Sequence, residues 1–397
     1  MAQLLQPVRR LGRRGRAVVA LAGLATFFVS LDGSALVLAL PAIGRDFHAS
    51  VPALTDMGAV LQAGVLAGLP LGLLADRTGR RRLLIGAVVG FSIVNVGSAL
   101  APSLPVLTLL RMLAACLETA AGAAAIALVV EEVPPDVRAV AVSALTIAAG
   151  AGAGLTTILW PLVAPNWRVL YLVGGFGLVG AAVLAWRLRE SRAWLAAPRD
   201  QLALRVLLSA PWRRRLLVAV AVSGLAAVFY QPAGLLVVLF GSRLGMTPTL
   251  LSAVIVVSGA LSLPAFPIGA RLSDRWGRRL LAPGLQLATA AFGALTFVGT
   301  TQTYWVGNVV WSVLASASAP VVAAWYGELF PTRARATSET VTAVAGAVGG
   351  ALGLQLVGHL TGAAGFGPSL MVGAVLAGGG ALLLLLLPET RNEPLPQ

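Results

Sequence analysis

The sequence predicts an all-α integral membrane protein of twelve transmembrane helices. Three observations lead there. The 397 residues are 58% hydrophobic and only 11% charged, with mean hydropathy +0.87, against about half apolar and a quarter charged in a soluble domain. The apolar residues fall in blocks of about twenty, the length that crosses ~30 Å of hydrocarbon. The basic residues collect between alternate blocks, on one side of the membrane. Helices follow because backbone amides in lipid must be satisfied within their own segment. A β-barrel would show short alternating strands instead.

The blocks run approximately 17–42, 52–75, 83–101, 105–130, 138–163, 167–187, 215–240, 247–271, 280–298, 303–327, 336–360 and 367–387. They are called spans 1 to 12 below. The first block is too long for a cleaved signal peptide and carries Asp32, so it reads as span 1. The net charge is +14, and all 29 basic residues are Arg. So basic a soluble protein would suggest nucleic acid, but here position explains the charge. With the chain starting inside, Arg9 to Arg16, Arg77 to Arg82, Arg138 and the Arg-rich 187–215 stretch fall inside. So do Arg271 to Arg279, Arg333, Arg335 and Arg391. Only Arg45, Arg168 and Arg243 lie near outer loops. This positive-inside pattern predicts cytoplasmic termini in a cell membrane. Cys116 is the one cysteine, so an intrachain disulfide is excluded. No nucleophile–base pair, metal cluster or nucleotide loop stands out, so neither a cofactor nor an enzymatic role is expected.

The chain repeats itself. Gly72 to Arg82, between spans 2 and 3, reads GLLADRTGRRR; Gly269 to Arg279, between spans 8 and 9, reads GARLSDRWGRR. Glu131-x-x-Pro134-x-x-x-Arg138 after span 4 returns as Glu328-x-x-Pro331-x-x-x-Arg335 after span 10. Glu190-Ser191-Arg192 after span 6 returns as Glu389-Thr390-Arg391 after span 12. The three matches share an offset of about 198 residues. A six-span unit is therefore duplicated: a first bundle over 1–187, a linker over 188–214, and a second bundle over 215–397.

These residues resemble the major facilitator superfamily, whose signature between spans 2 and 3 looks like Gly72 to Arg82. The resemblance covers essentially the whole chain, although Ala270 rather than Gly269 stands four before Asp274. It implies two six-helix bundles around a central cavity lined by spans 1, 4, 7 and 10. It also implies alternating access by rocking of the halves. Within the superfamily the residues point several ways. Leu31-Asp32-Gly33 with Ala39 to Asp46 resembles span 1 of drug:proton antiporters and aromatic-acid:proton symporters. Arg111 with Glu118 resembles span 4 of anion:cation symporters. Glu190-Ser191-Arg192 and Glu328-Leu-Phe-Pro-Thr332 look like sugar and organic-ion porters. The glycine run Ala149 to Gly154 lacks the proline of the antiporter signature in span 5.

Three ionisable residues interrupt the spans of the first half: Asp32 in span 1, and Arg111 and Glu118 in span 4. Each costs roughly 2.5–3.5 kcal/mol at mid-bilayer, so such residues usually line a functional path. Seven residues is two helical turns, so Arg111 and Glu118 share a face, about 8 and 18 Å below the start of span 4. Asp32 lies at about 15 Å depth by the same rise. If Arg111 neutralises one acid, the other is the candidate proton carrier, because an unpaired charge there is costly. Asp32 and Glu118 are the expected proton-coupling residues and Arg111 the partner of a substrate carboxylate. In the second half the expected solute contacts are neutral: Tyr230 and Gln231 beside a helix opened by Pro232, and Asn308 and Trp311 in span 10. Trp325 and Tyr326 read as interfacial anchors. His48 and His359 show no carboxylate partner in sequence.

The loops carry an expected cytoplasmic gate of Asp76, Arg77, Arg80, Glu131, Arg138, Asp274, Arg275, Arg278, Glu328 and Arg335. In it Glu131–Arg138 and Glu328–Arg335 act as latches. The alternative is that these arginines only set topology and meet anionic headgroups. The glycine-rich runs of spans 5 and 11 are expected hinge surfaces between the halves. The partners are then a small organic solute, protons and the bilayer, with no nucleic acid and a monomeric chain. The expected function is proton-coupled symport of a small organic anion. A proton antiporter exporting cations, a uniporter, and a sensor on a transporter fold are the alternatives.

Overall fold

The computed structural model describes residues 12–134, 137–191, 207, 209–331 and 334–391, without the side chains of 72–78, 139, 210, 211 and 336. Among the described residues every regular element is helical. Spans 1 to 5 are the helices Arg13–Asp46, Val51–Thr78, Arg80–Ala99, Leu104–Glu132 and Arg138–Val163. Span 6 is two helices in series, Arg168–Gly174 and Gly177–Arg187. Span 7 is Ala210–Arg243, and span 8 is again split, into Pro248–Ser262 and Ala265–Trp276 around Pro264. Spans 9 to 12 are Arg278–Leu295, Thr301–Leu329, Arg335–Ala364 and Phe366–Leu383.

Among the described residues, 11 helical segments are long and apolar enough to cross a membrane. The remaining expected span, Arg278–Leu295, has 18 residues and opens on two arginines, which lowers its hydropathy. Large apolar side chains such as Leu100, Ile147, Leu162 and Leu280 are more than two-thirds exposed, as expected where lipid covers the outer face.

The chain forms two compact units: Met1–Phe47 with Val60–Asp200, and His48–Ala59 with Gln201–Gln397. The start of span 2 is thus grouped with the later spans. The first unit packs Ala22, Ala25, Phe91, Ala121, Ala124 and Leu128 into its core. The second packs Leu216, Val222, Trp325, Leu329, Phe330 and Leu384.

Small residues set the closest approaches. A Cβ on Gly152 of span 5 would lie 2.0 Å from the Phe27 carbonyl oxygen of span 1. In the second unit, a Cβ on Gly349 of span 11 would lie 2.1 Å from the Gly224 oxygen of span 7. The glycine-rich runs thus bring spans 5 and 11 onto spans 1 and 7 of their own units. Without a hydrophobic driving force between helices in lipid, such backbone contact is what holds them.

The span 7 helix runs unbroken through Pro232, against the expectation of an opened helix. Proline has no N–H for the Val228 carbonyl. That oxygen instead faces Gly353 of span 11, where a Cβ would sit 2.3 Å away. Span 11 covers the freed acceptor.

Gly152→Ala is expected to destabilise the protein by about 1–3 kcal/mol, the usual cost of overpacking. Gly150→Ala, which meets nothing within 4 Å, is expected to be nearly neutral. Thermal unfolding of the two variants in detergent checks the contrast.

Candidate functional site

The ionisable residues of the first unit converge. Arg111 Nη1 donates to Asp32 Oδ1 and Oδ2 at 2.8 and 2.9 Å. Its Nη2 donates to Asn95 Oδ1 at 2.7 Å and its Nε to Ser98 Oγ at 3.2 Å. The guanidinium also lies 4.5 Å from the centre of the Tyr171 ring, a cation–π contact. Asp32, Asn95, Ser98, Arg111 and Tyr171 are all buried. One guanidinium thus ties together spans 1, 3, 4 and 6, with every nitrogen engaged. Arg111 was expected to face a substrate carboxylate; its place is held by Asp32.

Glu118 is the acid left over. It lies beside Asp32 and within the field of Arg111, and among the described residues its buried Oε1 has no hydrogen-bond partner. The cluster therefore holds two carboxyls and one guanidinium. Two carboxylates so close repel unless a proton lies between them. Sequence spacing found the three charged residues; it missed Asn95, Ser98 and Tyr171, uncharged residues that no motif in the sequence marks as partners.

In the second unit the candidates separate. Tyr230 lines a cavity of about 420 Å³ with Ser223, Gln286, Thr289, Ser318 and Tyr326 of spans 7, 9 and 10. The Tyr230 hydroxyl reaches the Gln286 carbonyl at 3.4 Å. Trp311 is not among the lining residues but backs Tyr230, stacked with centroids 6.5 Å apart and planes 13° apart. Gln231 packs on Gly350 of span 11, and Asn308 accepts from the Ser258 hydroxyl at 2.9 Å; neither lines the cavity. Tyr326 does, whereas Trp325 is fully buried and donates to the Pro388 carbonyl at 3.0 Å. His359, without a visible partner in sequence, lies 3.6 Å from Asp56.

The expected gate residues form a network within each unit, with different partners. Glu131 Oε1 pairs with Arg80 at 2.8–2.9 Å. Arg278 Nη2 reaches Glu328 at 3.1 Å and Asp274 at 3.3 Å, and the Thr390 hydroxyl also donates to Glu328. Arg138 is exposed and donates to the Val133 carbonyl, while the buried Nε and Nη2 of Arg335 have no partner among the described residues. The reason lies in the helix starts. Gly79 and Gly277 take positive φ, 98° and 86°, which glycine alone adopts freely. Arg80 and Arg278 follow at once and reach the acids at the ends of spans 4 and 10. Arg275 is exposed, and its carbonyl accepts from Arg391 at 2.7 Å. The side chains of Asp76 and Arg77 lie outside the described residues.

The repeated Glu-x-Arg motif has a separate task. Glu190 accepts the Arg81 N–H at 3.0 Å, and Glu389 accepts those of Arg278 and Arg279 at 3.1 and 2.9 Å. Each closes the exposed N-terminus of a helix far from it in sequence, where a negative charge is favoured. Burial raises the Glu389 carboxyl, but backbone N–H bonds from Arg279, Arg278, Arg391 and Thr390 outweigh it and hold the group below its ordinary range.

Long apolar helices, charge buried among them in the first unit and a cavity in the second mark a multi-pass membrane transporter. The chain matches the Major Facilitator Superfamily over residues 22–354 and 233–397, and it belongs to that superfamily. It is 31% identical over 137 residues to organic anion transporter 3 of Rattus norvegicus, covering 34% of this chain and 25% of that protein. It is 30% identical over 197 residues to a gallate transporter of Pseudomonas putida, covering 47% of this chain and 43% of that protein. The alignments thus span less than half of either relative's length. The solved structure of the xylose transporter XylE from E. coli superposes with a TM-score of 0.76 at 18% identity, covering 96% of this chain and 98% of that one. That likeness supports the fold.

Arg111→Ala leaves Asp32 buried without its counter-charge and is expected to cost about 3–5 kcal/mol. Asp32→Asn combined with Arg111→Gln removes both charges and is expected to recover most of that loss in a thermal unfolding assay. Because its folded-state carboxyl titrates low, Glu389 stabilises the protein fully above about pH 4.3 and loses that effect as pH falls further. Glu389→Gln is expected to lower the Tm at neutral pH and to flatten its decline in acid, read from unfolding curves across pH.

Proposed function

We propose that the chain is a proton-coupled symporter of small organic anions, ring carboxylates foremost, working by alternating exposure of its site to the two sides of the membrane. The observation that carries this reading is the buried cluster of Asp32, Arg111 and Glu118. In the empty carrier Arg111 balances one negative charge shared over the two carboxyls, with a proton between them. A second proton on the acid pair weakens Asp32's hold, and the carboxylate of the solute takes its place on Arg111. Proton and anion enter together, so the cluster stays neutral in both states. Neutrality matters because an uncompensated charge in a low-dielectric site is costly. The names of the relatives support an anionic cargo, and gallate is an aromatic carboxylate. The second unit's cavity of about 420 Å³ beside Tyr230 and Tyr326 lies within the usual size range of solute pockets. The Arg-rich network at the ends of spans 4 and 10 is read as the cytoplasmic gate, with both termini on that side.

Proteoliposomes holding a pH-sensitive dye test the reading. Adding an aromatic acid such as gallate is expected to acidify the lumen, at a rate unchanged by an imposed membrane potential. Asp32→Asn with Glu118→Gln is expected to reduce acidification at least tenfold while gallate counterflow persists. Alkalinisation of a preacidified lumen by an organic amine would instead establish the exporting antiporter.

A further inference from the structure

The Arg-rich end of the second unit holds an open groove of about 370 Å³, lined by Arg214, Arg215, Arg279, Leu386, Leu387 and Pro388. Among the described residues three arginines line it, and no acidic residue does. Two of them are fixed from behind. Arg215 Nη1 donates to the Leu329 carbonyl at 3.1 Å and its guanidinium lies 5.0 Å from the Trp212 ring. Arg279 Nε donates to the Leu385 carbonyl at 3.2 Å. Among the described residues Arg214 has no hydrogen bond or ion pair. The nearby acids are committed elsewhere: Glu389 to the N–H groups of Arg278, Arg279, Thr390 and Arg391, and Glu328 to Arg278 and Thr390.

The internal repeat shows one acid fewer at this end of the second unit. Glu131-Glu132 after span 4 corresponds to Glu328-Leu329 after span 10. In the first unit Glu132 takes Arg14 in a two-pronged pair at 2.7 and 3.0 Å. In the second unit leucine replaces that acid, and Arg215 finds only the main-chain oxygen of Leu329. The groove also has an apolar side. Leu386, Leu387 and Pro388 line it, and Leu386 is 52% exposed, which suits contact with acyl chains.

We propose that this groove binds the phosphate headgroup of an anionic phospholipid. Guanidinium groups present several donors to phosphate oxygens, and the leucines give the tails a surface that a free phosphate would not use. A basic pocket at the membrane face gains affinity with each arginine, by about fivefold.

The full-length protein in detergent, titrated with dioleoylphosphatidylglycerol or dioleoylphosphatidylcholine and read by native mass spectrometry, tests this. Phosphatidylglycerol is expected to bind and phosphatidylcholine to bind at least tenfold more weakly. Arg214→Gln is expected to weaken phosphatidylglycerol about fivefold with unfolding of the lipid-free protein unchanged, since Arg214 holds no part of the fold. Arg213→Gln, exposed and outside the groove, is expected to bind as the parent does. Equal retention of the two lipids, or equal weakening by Arg213→Gln and Arg214→Gln, would overturn the proposal. Displacement of the lipid by equimolar inorganic phosphate would identify a free-anion site and overturn it as well.

Discussion

A guanidinium and a carboxylate buried in hydrocarbon are the constraint around which the first unit is built. Neither Arg111 nor Asp32 has water to turn to, and removing a buried ion's counter-charge costs several kcal/mol. The pair therefore fixes span 1 against span 4. Asn95 and Ser98 bring in span 3 through the remaining donors, and Tyr171 brings in span 6 through its ring face. Dispersion between lipid-facing helices is weak in specificity; a five-donor fork with named acceptors is not. Glycines do the complementary work of letting backbones approach, as Gly152 does on Phe27.

The sequence made the helices legible because hydrocarbon thickness dictates block length and the arginines mark the ends. It also made the duplication legible, since Asp76 and Asp274, Glu131 and Glu328, and Glu190 and Glu389 recur at nearly one offset. Partners were harder. Glu131 pairs with Arg80 and Glu328 with Arg278 rather than with Arg138 and Arg335, because a positive-φ glycine, not proximity along the chain, decides which arginine reaches the acid. Pro232 looked like a break, yet the oxygen it orphans is covered by Gly353 from another span. Tyr326 looked like an interfacial anchor and lines the cavity instead. In each case the deciding atom belongs to a span distant in sequence, and hydropathy carries no record of which helix face meets which neighbour.

The two units share a frame and differ in what fills it. At the Arg-rich ends the frame repeats almost residue for residue: a glycine turn, an arginine onto the acid of the span 4 or 10 terminus, and a remote glutamate on the helix N–H groups. Deeper in, the first unit holds charge and the second holds tyrosines and hydroxyls. Duplication supplies two copies of a stable scaffold, and among the described residues only one of them holds a buried ionisable cluster deep in its spans. A second buried cluster would add desolvation cost without adding a second kind of recognition. Charge in one unit and neutral hydrogen-bonding groups in the other give the two copies different chemistry.

The same logic reaches the arginine excess. Had every arginine a fixed protein partner, the basic ends would act only as structure. Arg14, Arg80 and Arg278 are spent that way, on Glu132, Glu131 and Glu328. Where leucine stands in place of the second acid at Leu329, the second unit keeps guanidinium groups without carboxylates at a surface that also exposes leucines. A net charge of +14 attracts compensating negative charge, and for a chain embedded in a bilayer lipid phosphate is close at hand. The excess is then part of how the protein is seated in its membrane, and the missing acid of the second repeat is where that seating becomes specific.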